Sequence, residues 1–417
     1  MTELFDSTRT ERALDRVTIE RALKAAGEGP IVVGLSGGGD STALLHLLVE
    51  EIGPARLRAL VVDHALRAGS AFDAERARAF AGSLGVVCEV LTLTWPDGPR
   101  RAQQTARRAR YAALCDAARR AGARVIALGH NSDDQAETVL MRAASGSGWR
   151  GLAAMSPAAP APVWPEGRGI TLVRPLLGAR RRELREYLQA RGAPWLEDPA
   201  NANFAFERVR VRARLAALEA TGFDPMRLVR LATRLRPFVE CLDREAAALI
   251  VHATQIEGER IVVKRGAWRG DAEVRRRALV VLLMAAAGAE RAPERAGLGR
   301  LETRIASDSF RGAALAGARV SRRDDALIIC RDAGALHGRS GSIKRAEPMS
   351  LPASQETIWD GRLSLIAAAP GWRVELNRIG EPCLRKGGDA LALAEAAAQV
   401  HTSWLLETHV RHMVGLD

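Results

Sequence analysis

Long apolar runs are missing from this 417-residue chain. No stretch reaches the ~18 apolar residues that a membrane-spanning helix needs, so no membrane association is expected. The opening "MTELFDSTRTERALDR" has no apolar segment of the secretory kind, and an intracellular, cytoplasmic protein is the expectation. Cysteine is scarce: Cys88, Cys115, Cys241, Cys330 and Cys383 are odd in number, far apart and never arranged as C-x-x-C. That pattern argues against a disulfide framework or a cysteine zinc site. Lysine is rarer still. Lys24, Lys264, Lys344 and Lys386 are the only four among 61 basic residues, and the other 57 are arginine. The lysine-bearing phosphate string G-x-x-x-x-G-K-[ST] is absent as well, and Gly34, Gly37 and Gly39 after the first strand do not give the G-x-G-x-x-G spacing.

What is present begins with charge. The net charge is +12, carried by arginine, whose planar fork suits bidentate phosphate contact. A polyanionic partner fits this excess, although the base composition of a genome produces the same bias. Residues 31–130 alternate β-branched runs, "IVVGL", "LRALVVDH", "VVCEVLTL" and "RVIALGH", with helical stretches near 41–52, 73–84 and 102–121. This is a βαβ series, hence an α/β fold with a parallel sheet and ligands at the carboxyl ends of its strands. Residues 156–169 read as a Pro- and Ala-rich surface loop before the short strand "ITLVRPLL". Residues 216–308 are mostly helical, broken by a strand pair near 259–268; 318–331 is β-like and 334–348 reads as a linker. The last 70 or so residues mix strands with a helix expected near 389–409. The expected domains are 1–215, 216–332 and 345–417, the last a small α+β unit.

The first strand runs into Ser36-Gly37-Gly38-Gly39-Asp40-Ser41, and a helix follows. Glycines let backbone N–H groups approach an anion, and the helix N-terminus adds partial positive charge. An aspartate inside such a loop repels phosphate unless a divalent cation bridges the two. The string resembles the SGGxDS loop of the N-type ATP pyrophosphatases, over roughly residues 30–140. That resemblance implies ATP cleaved between its α and β phosphates, with Mg²⁺ held at Asp40.

Three further stretches narrow the comparison. "VVDHALRAGS" sets His64 and Arg67 at the end of the second strand. "ALGHNSDDQAETVLMR" ends the fourth strand at Gly129 and His130, then opens a helix. There Ser132 and Gln135 read as an S-x-x-Q capping box, with Asp133 and Asp134 in the first turn. "ASGSGWRGL" follows, with Trp149 and Arg150. "RPLLGARRRELREYLQARGAPWLEDPANANFAFERVRVRARL" carries ten arginines, among them Arg208, Arg210 and Arg212, which a helix would place on two sides. Together these are similar to the bacterial tRNA(Ile)-lysidine synthetase family, whose patterns match at Asp63, His64, Leu66 and Arg67; at Ala106, Arg107, Arg110 and Tyr111; at 130–138; and at 174–177 and 195–201. Val209 and Val211 depart from the family's R-N-R-I-R, and Ser145 stands where arginine is common. The match is strong over 30–215, weaker over 216–330 and faint beyond.

The resemblance implies ATP, Mg²⁺, free L-lysine and a tRNA(Ile) bearing the anticodon CAU, whose first anticodon cytidine becomes lysidine. It implies ATP binding by Ser36, Gly37, Gly38, Gly39, Asp40, Ser41, His64, Gly129 and His130. It implies catalysis by Asp40, Arg110, Asp133 and Asp134, and tRNA contacts by Arg150, Arg208, Arg210 and Arg212. A tRNA thiolase of the same superfamily would need catalytic cysteines or a cluster. An amidotransferase would need a glutaminase domain, and none is evident. A non-catalytic RNA-binding protein would have lost the loop carboxylates.

Overall fold

The computed structural model describes residues 14–95, 103–197, 203–337, 346–377 and 380–415. The chain divides into two compact units, Met1–Val239 and Glu240–Asp417.

The first unit is built on α1 (Arg16–Ala26), β1 (Ile31–Gly34), α2 (Gly39–Ile52), β2 (Leu57–Asp63), α3 (Ser70–Ser83), β3 (Val87–Thr92), α4 (Gln103–Arg120) and β4 (Val125–Leu128). It continues through α5 (Ser132–Ala144), α6 (Trp149–Leu152), β5 (Ala158–Pro160), β6 (Thr171–Val173), α7 (Arg181–Ala190), α8 (Glu207–Ala220) and the first half of α9 (Met226–Ala253), whose second half belongs to the second unit. The sheet order is β3-β2-β1-β4-β6-β5. Every pair is parallel except β5 with β6. All residues of β1 and β4 are buried, because helices cover both faces, so these strands are continuously apolar rather than alternating. Ile31, Val33, Leu44, Leu45 and Leu57 fill one face; Val32, Tyr111, Leu114 and Ile126 fill the other. Each such side chain, fully buried, contributes about 1.5–3 kcal/mol.

The chain leaves β1 in opposite lateral directions, to β2 on one side and β4 on the other. The crevice outside the carboxyl ends of β1 and β4 is therefore the switch point where open α/β sheets bind ligands. The loop expected at 156–169 contains the edge strand β5, whose proline is tolerated because an edge strand need not donate on both sides.

In the second unit, β7 (Thr254–Glu257), β8 (Arg260–Lys264), β9 (Gly312–Leu315), β10 (Ala318–Arg323) and β11 (Ala326–Arg331) form one antiparallel sheet, ordered β7-β8-β11-β10-β9. The two strand signals inside the helical stretch thus belong together. Helices α10 (Ala272–Ala287) and α11 (Arg295–Ala306) bury Ala278, Leu282 and Leu301 in a shared core with Ile261, Val320 and Ile329.

Beyond the short α12 (Ala333–Leu336), two further sheets carry β12 to β18. They are ordered Met349–Leu351, Trp372–Leu376, Pro382–Lys386, Asp389–Ala392, and Glu356–Trp359, Leu363–Ala367, Val400–Trp404. A helix near 389–409 is not what forms. Asp389–Ala392 and Val400–Trp404 are strands, and α13 (Leu406–Val414) begins only afterwards. The segment is alanine-rich and helix-favouring, but its ends pair with neighbouring strands and Val400 is wholly buried, so tertiary pairing overrides propensity. The linker expected at 334–348 falls largely outside the described residues, as does the motif beyond Glu197.

Candidate active site

The glycine loop joins β1 to α2. Gly37 has φ +78°, and a Cβ there would stand 2.6 Å from Leu196 Cδ1, so both backbone conformation and space require glycine. The loop is braced from within. Ser36 N–H donates to Ser41 Oγ (3.1 Å), Ser41 Oγ donates to Gly38 O (3.0 Å), and Thr42 Oγ1 donates to Gly37 O (3.2 Å). Leu196 N–H donates to Gly37 O at 2.8 Å, tying the loop to the 193–197 segment. The N-cap of α2, Gly38, offers no side-chain cap. The first-turn N–H groups of α2 are therefore left to face the crevice, an arrangement suited to phosphate.

Across the crevice, β4 ends and Gly129 packs on the loop. A Cβ on Gly129 would lie 2.9 Å from Asp40 C, Asp40 O and Ser41 N. Gly129→Ala must push the backbone of the glycine loop away and is expected to weaken ATP binding about tenfold or more while leaving the sheet folded. Parallel nucleotide titration and thermal melting check this, and unchanged ATP affinity would refute it.

The helix α5 is not capped as the S-x-x-Q pattern predicts. Asn131 is the N-cap: Asp134 N–H donates to Asn131 Oδ1 (3.0 Å), and Asn131 N–H donates to Asp134 Oδ2 (3.1 Å). Asn131 is fully buried, and with the amide side chain one residue earlier the box closes on the Asn131 and Asp134 N–H groups rather than on those of Ser132 and Gln135. Gln135 instead clamps Met155. Its side chain donates to Met155 O (2.9 Å) and accepts from Met155 N–H (2.8 Å).

Asp40, at the start of α2, and Asp134, at the start of α5, meet at one guanidinium. Arg181 Nε lies 3.4 Å from Asp40 Oδ2, Nη2 donates to Asp134 Oδ1 at 3.1 Å, and Nη1 lies 3.6 Å from Glu137 Oε1. Burial, and then repulsion from Asp134, raise the pKa of Asp40, while Arg181 opposes both. Burial works to lower the pKa of Arg181, but Asp134, Asp40, Glu137 and Asp133 together raise it. Asp133 turns aside: Oδ2 accepts from Arg181 N–H (2.8 Å) at the N-terminus of α7, and Oδ1 accepts from Arg180 Nη2 (3.2 Å). It fixes where α7 starts, and with it the Arg181 side chain.

A cavity of about 310 Å³ results. Ser36, Gly38, Gly39, Asp40, Ser41, Arg110, Gly129, His130, Asp134, Arg208 and Arg212 all line it. Gly37 does not; it lies behind the loop beside Leu196. His64 also lies off the lining, at the end of β2, where its carbonyl accepts from Trp95 Nε1 at 2.8 Å. Asp133, Arg150 and Arg210 are likewise not in the lining. On α8, Arg208 and Arg212 turn inward to Glu137, whereas Arg210 bonds the Phe204 and Ala205 carbonyls (2.9 Å each). Burial leads in lowering the pKa of His130 well below the ordinary value, with Arg174, Arg110, Arg208 and Arg107 adding to it, so the ring is neutral at neutral pH. Burial likewise lowers the pKa of Arg110.

Sequence reasoning missed Arg181, Arg185 and Glu197 in the lining. For Arg181 the signal was the arginine run 180–182, which cannot say which member faces inward, and Glu197 lay in the matched 195–201 segment with no role attached. Among the described residues no group of three His, Cys, Asp or Glu side chains could hold a metal ion by itself. One or two carboxylates, Asp40 with Asp134 in reach, suit a hard cation that takes its other ligands from phosphate oxygens and water. Cys88 lies on β3 and Cys115 on α4; burial pushes their thiols up to about 11 and about 12, which keeps them from acting as nucleophiles.

A glycine loop and an acidic helix turn facing each other across the switch point of a parallel sheet define a PP-loop nucleotide-binding domain, and a PP-loop domain model matches residues 9–219. Similar proteins extend the match. The tRNA(Ile)-lysidine synthase of Caulobacter vibrioides is 38% identical over 84% of this chain and 78% of its own length. That of Hyphomonas neptunium is 37% identical over 82% and 90%, and that of Rhizobium meliloti 35% identical over 89% and 85%. The chain belongs to the tRNA(Ile)-lysidine synthase family.

Proposed function

We propose that this cavity adenylates the first anticodon cytidine of a tRNA(Ile) with the anticodon CAU and then lets free L-lysine displace AMP. As a member of its family the chain is an ATP-using ligase of tRNA processing. The observation that carries the finer reading is the meeting of Asp40 and Asp134 on one guanidinium, beside an uncapped helix N-terminus.

A cytosine carbonyl oxygen is a poor leaving group. Its attack on the ATP α-phosphorus expels pyrophosphate and leaves AMP attached through that oxygen. The lysine amine then attacks ring carbon 2, loses a proton, and AMP departs. In this scheme the glycine loop, Ser36 and Ser41 hold the β and γ phosphates at the N-terminus of α2. Asp40 would hold Mg²⁺, which would supply positive charge against the phosphates. Arg110 stabilises the α-phosphate as charge develops there. Asp134 receives the lysine ammonium or its proton, with Asp133 behind it through Arg180 and Arg181. His64 remains assigned to the nucleotide at the rim, and Arg150, Arg208, Arg210 and Arg212 to the tRNA. The base leaves its stack to enter, as anticodon-loop bases can.

The deciding experiment incubates the full chain with ATP and Mg²⁺ and follows AMP and pyrophosphate with and without tRNA(Ile) and lysine. AMP release that requires both the RNA and lysine is expected. AMP release without lysine, or sulfur incorporation in its place, would overturn the reading.

A further inference from the structure

The arginines of the first unit fall into two electrostatic classes. Arg180, Arg181, Arg208 and Arg212 each meet a carboxylate, at Asp133, Asp134 or Glu137. Arg107, Arg142 and Arg174 do not. Arg107 Nη2 donates to Tyr111 Oη (3.1 Å) and stacks over that ring. Arg142 Nη1 donates to Gly151 O and Ala154 O (3.0 Å each), and Arg174 Nη1 donates to Ser156 O (2.7 Å). Arg236 Nη2 donates to Ala153 O. One turn, 151–156, thus aims three guanidinium groups with its carbonyls. The Gln135 clamp on Met155 pins that turn, and Ala154 holds φ +53° within it.

These groups are neighbours. Burial lowers the pKa of Arg174; Tyr111 opposes this, and Arg107, Arg236 and Arg142 reinforce it. Arg174 is only 8% exposed, and its buried Nε has no hydrogen-bond partner among the described residues. Carbonyls orient a guanidinium without neutralising it. Like charges gathered at a buried place, with no carboxylate in ion-pair range of Arg107, Arg110, Arg142 or Arg174 among the described residues, raise each other's energy unless an anion joins them. Arg110 lines the catalytic cavity and also repels the His130 ring together with Arg107 and Arg174, so the cluster adjoins the place where the base reacts.

The geometry points to Arg107, Arg142 and Arg174, the last two aimed by the 151–156 turn and Arg107 held on Tyr111, as a subsite for the RNA phosphodiesters that flank the modified base. This rests on the RNA-substrate reading above. It assigns the G-S-G-W-R-G-L segment and Gln135 to positioning the arginines rather than to nucleotide binding.

The test measures the dissociation constant of the full chain for an anticodon stem-loop RNA across salt, for wild type, Arg174→Gln and the more exposed Arg107→Gln. Each substitution is expected to weaken binding about tenfold and to lower the slope of log K against log salt by about 0.7–0.9, with ATP affinity unchanged. RNA carrying neutral methylphosphonate linkages beside the target cytidine should bind wild type about tenfold more weakly and Arg174→Gln no more weakly still. Additive losses, an unchanged salt slope, or weakened ATP binding with RNA binding intact would each overturn the assignment. A reduced slope in an enzyme that makes no lysine-dependent AMP would sink the functional reading alone and leave the subsite standing.

Discussion

Asp40→Asn is expected to slow AMP release by about a thousandfold or more. The substitution keeps size and hydrogen-bonding reach, and Asp40 retains part of its exposure, so the fold should survive. What changes is charge. Asp40 sits in the first turn of α2, where phosphate is favoured by the helix and disfavoured by the carboxylate. Such a residue is tolerable only if it brings a cation that offsets more negative charge than the carboxylate adds. The neutral amide removes that attraction, so pyrophosphate leaves against unscreened charge. Single-turnover release of AMP, with thermal melting as a folding control, decides the matter. Normal turnover in a folded variant would remove Asp40 from the mechanism.

Glu137→Gln is expected to give the largest loss of stability in the first unit, about 3 kcal/mol. The Glu137 side chain is 2% exposed and stands among three guanidinium groups. Arg212 Nε donates to Oε1 at 2.8 Å. Arg208 Nε approaches Oε2 at 3.1 Å but off the hydrogen-bond axis, and it is tied instead through Nη2 to Thr138 Oγ1 at 3.4 Å. Removing this negative charge takes the carboxylate partner from Arg208 and Arg212 and leaves them repelling each other and Arg181, which keeps Asp134 and Asp40. Arg208 and Arg212 keep about a third of their exposure, so water screens part of the cost, which places the value at the lower end for a broken buried pair. Urea unfolding measures it. A loss under about 0.5 kcal/mol would mean the arginines relax to solvent and that Glu137 does not organise them. The variant should also bind tRNA differently, because Arg208 and Arg212 lose the anchor that holds them in the cavity lining.

The parallel sheet was legible because buried strands are continuous apolar runs separated by helical lengths, and that signal is local. The glycine loop was legible for the same reason: strand, glycines, aspartate and helix follow one another without interruption. The helix expected near 389–409 does not form because alanine-rich propensity is local, whereas the strands that pair there lie elsewhere in sequence. The capping of α5 was off by one residue. Asn131, Ser132, Gln135 and Asp134 are all competent capping residues, and only the packed backbone selects among them.

Sequence by itself determined the class of nucleotide chemistry and the family, because both rest on residue types at fixed short spacings. Tertiary structure decided the division of labour among the charged groups. Arg181 meets Asp40 across 141 positions and Asp134 across 47, so no spacing rule could pair them. Glu137, in a sequence motif, proves to be a buried anchor for arginines that come from α7 and α8. Arg142 and Arg174 look in sequence like the other arginines. They differ because their partners are neutral carbonyls of one turn rather than carboxylates. Whether a charge is neutralised depends on what lies within about 4 Å in space, and that is a property the folded chain alone possesses.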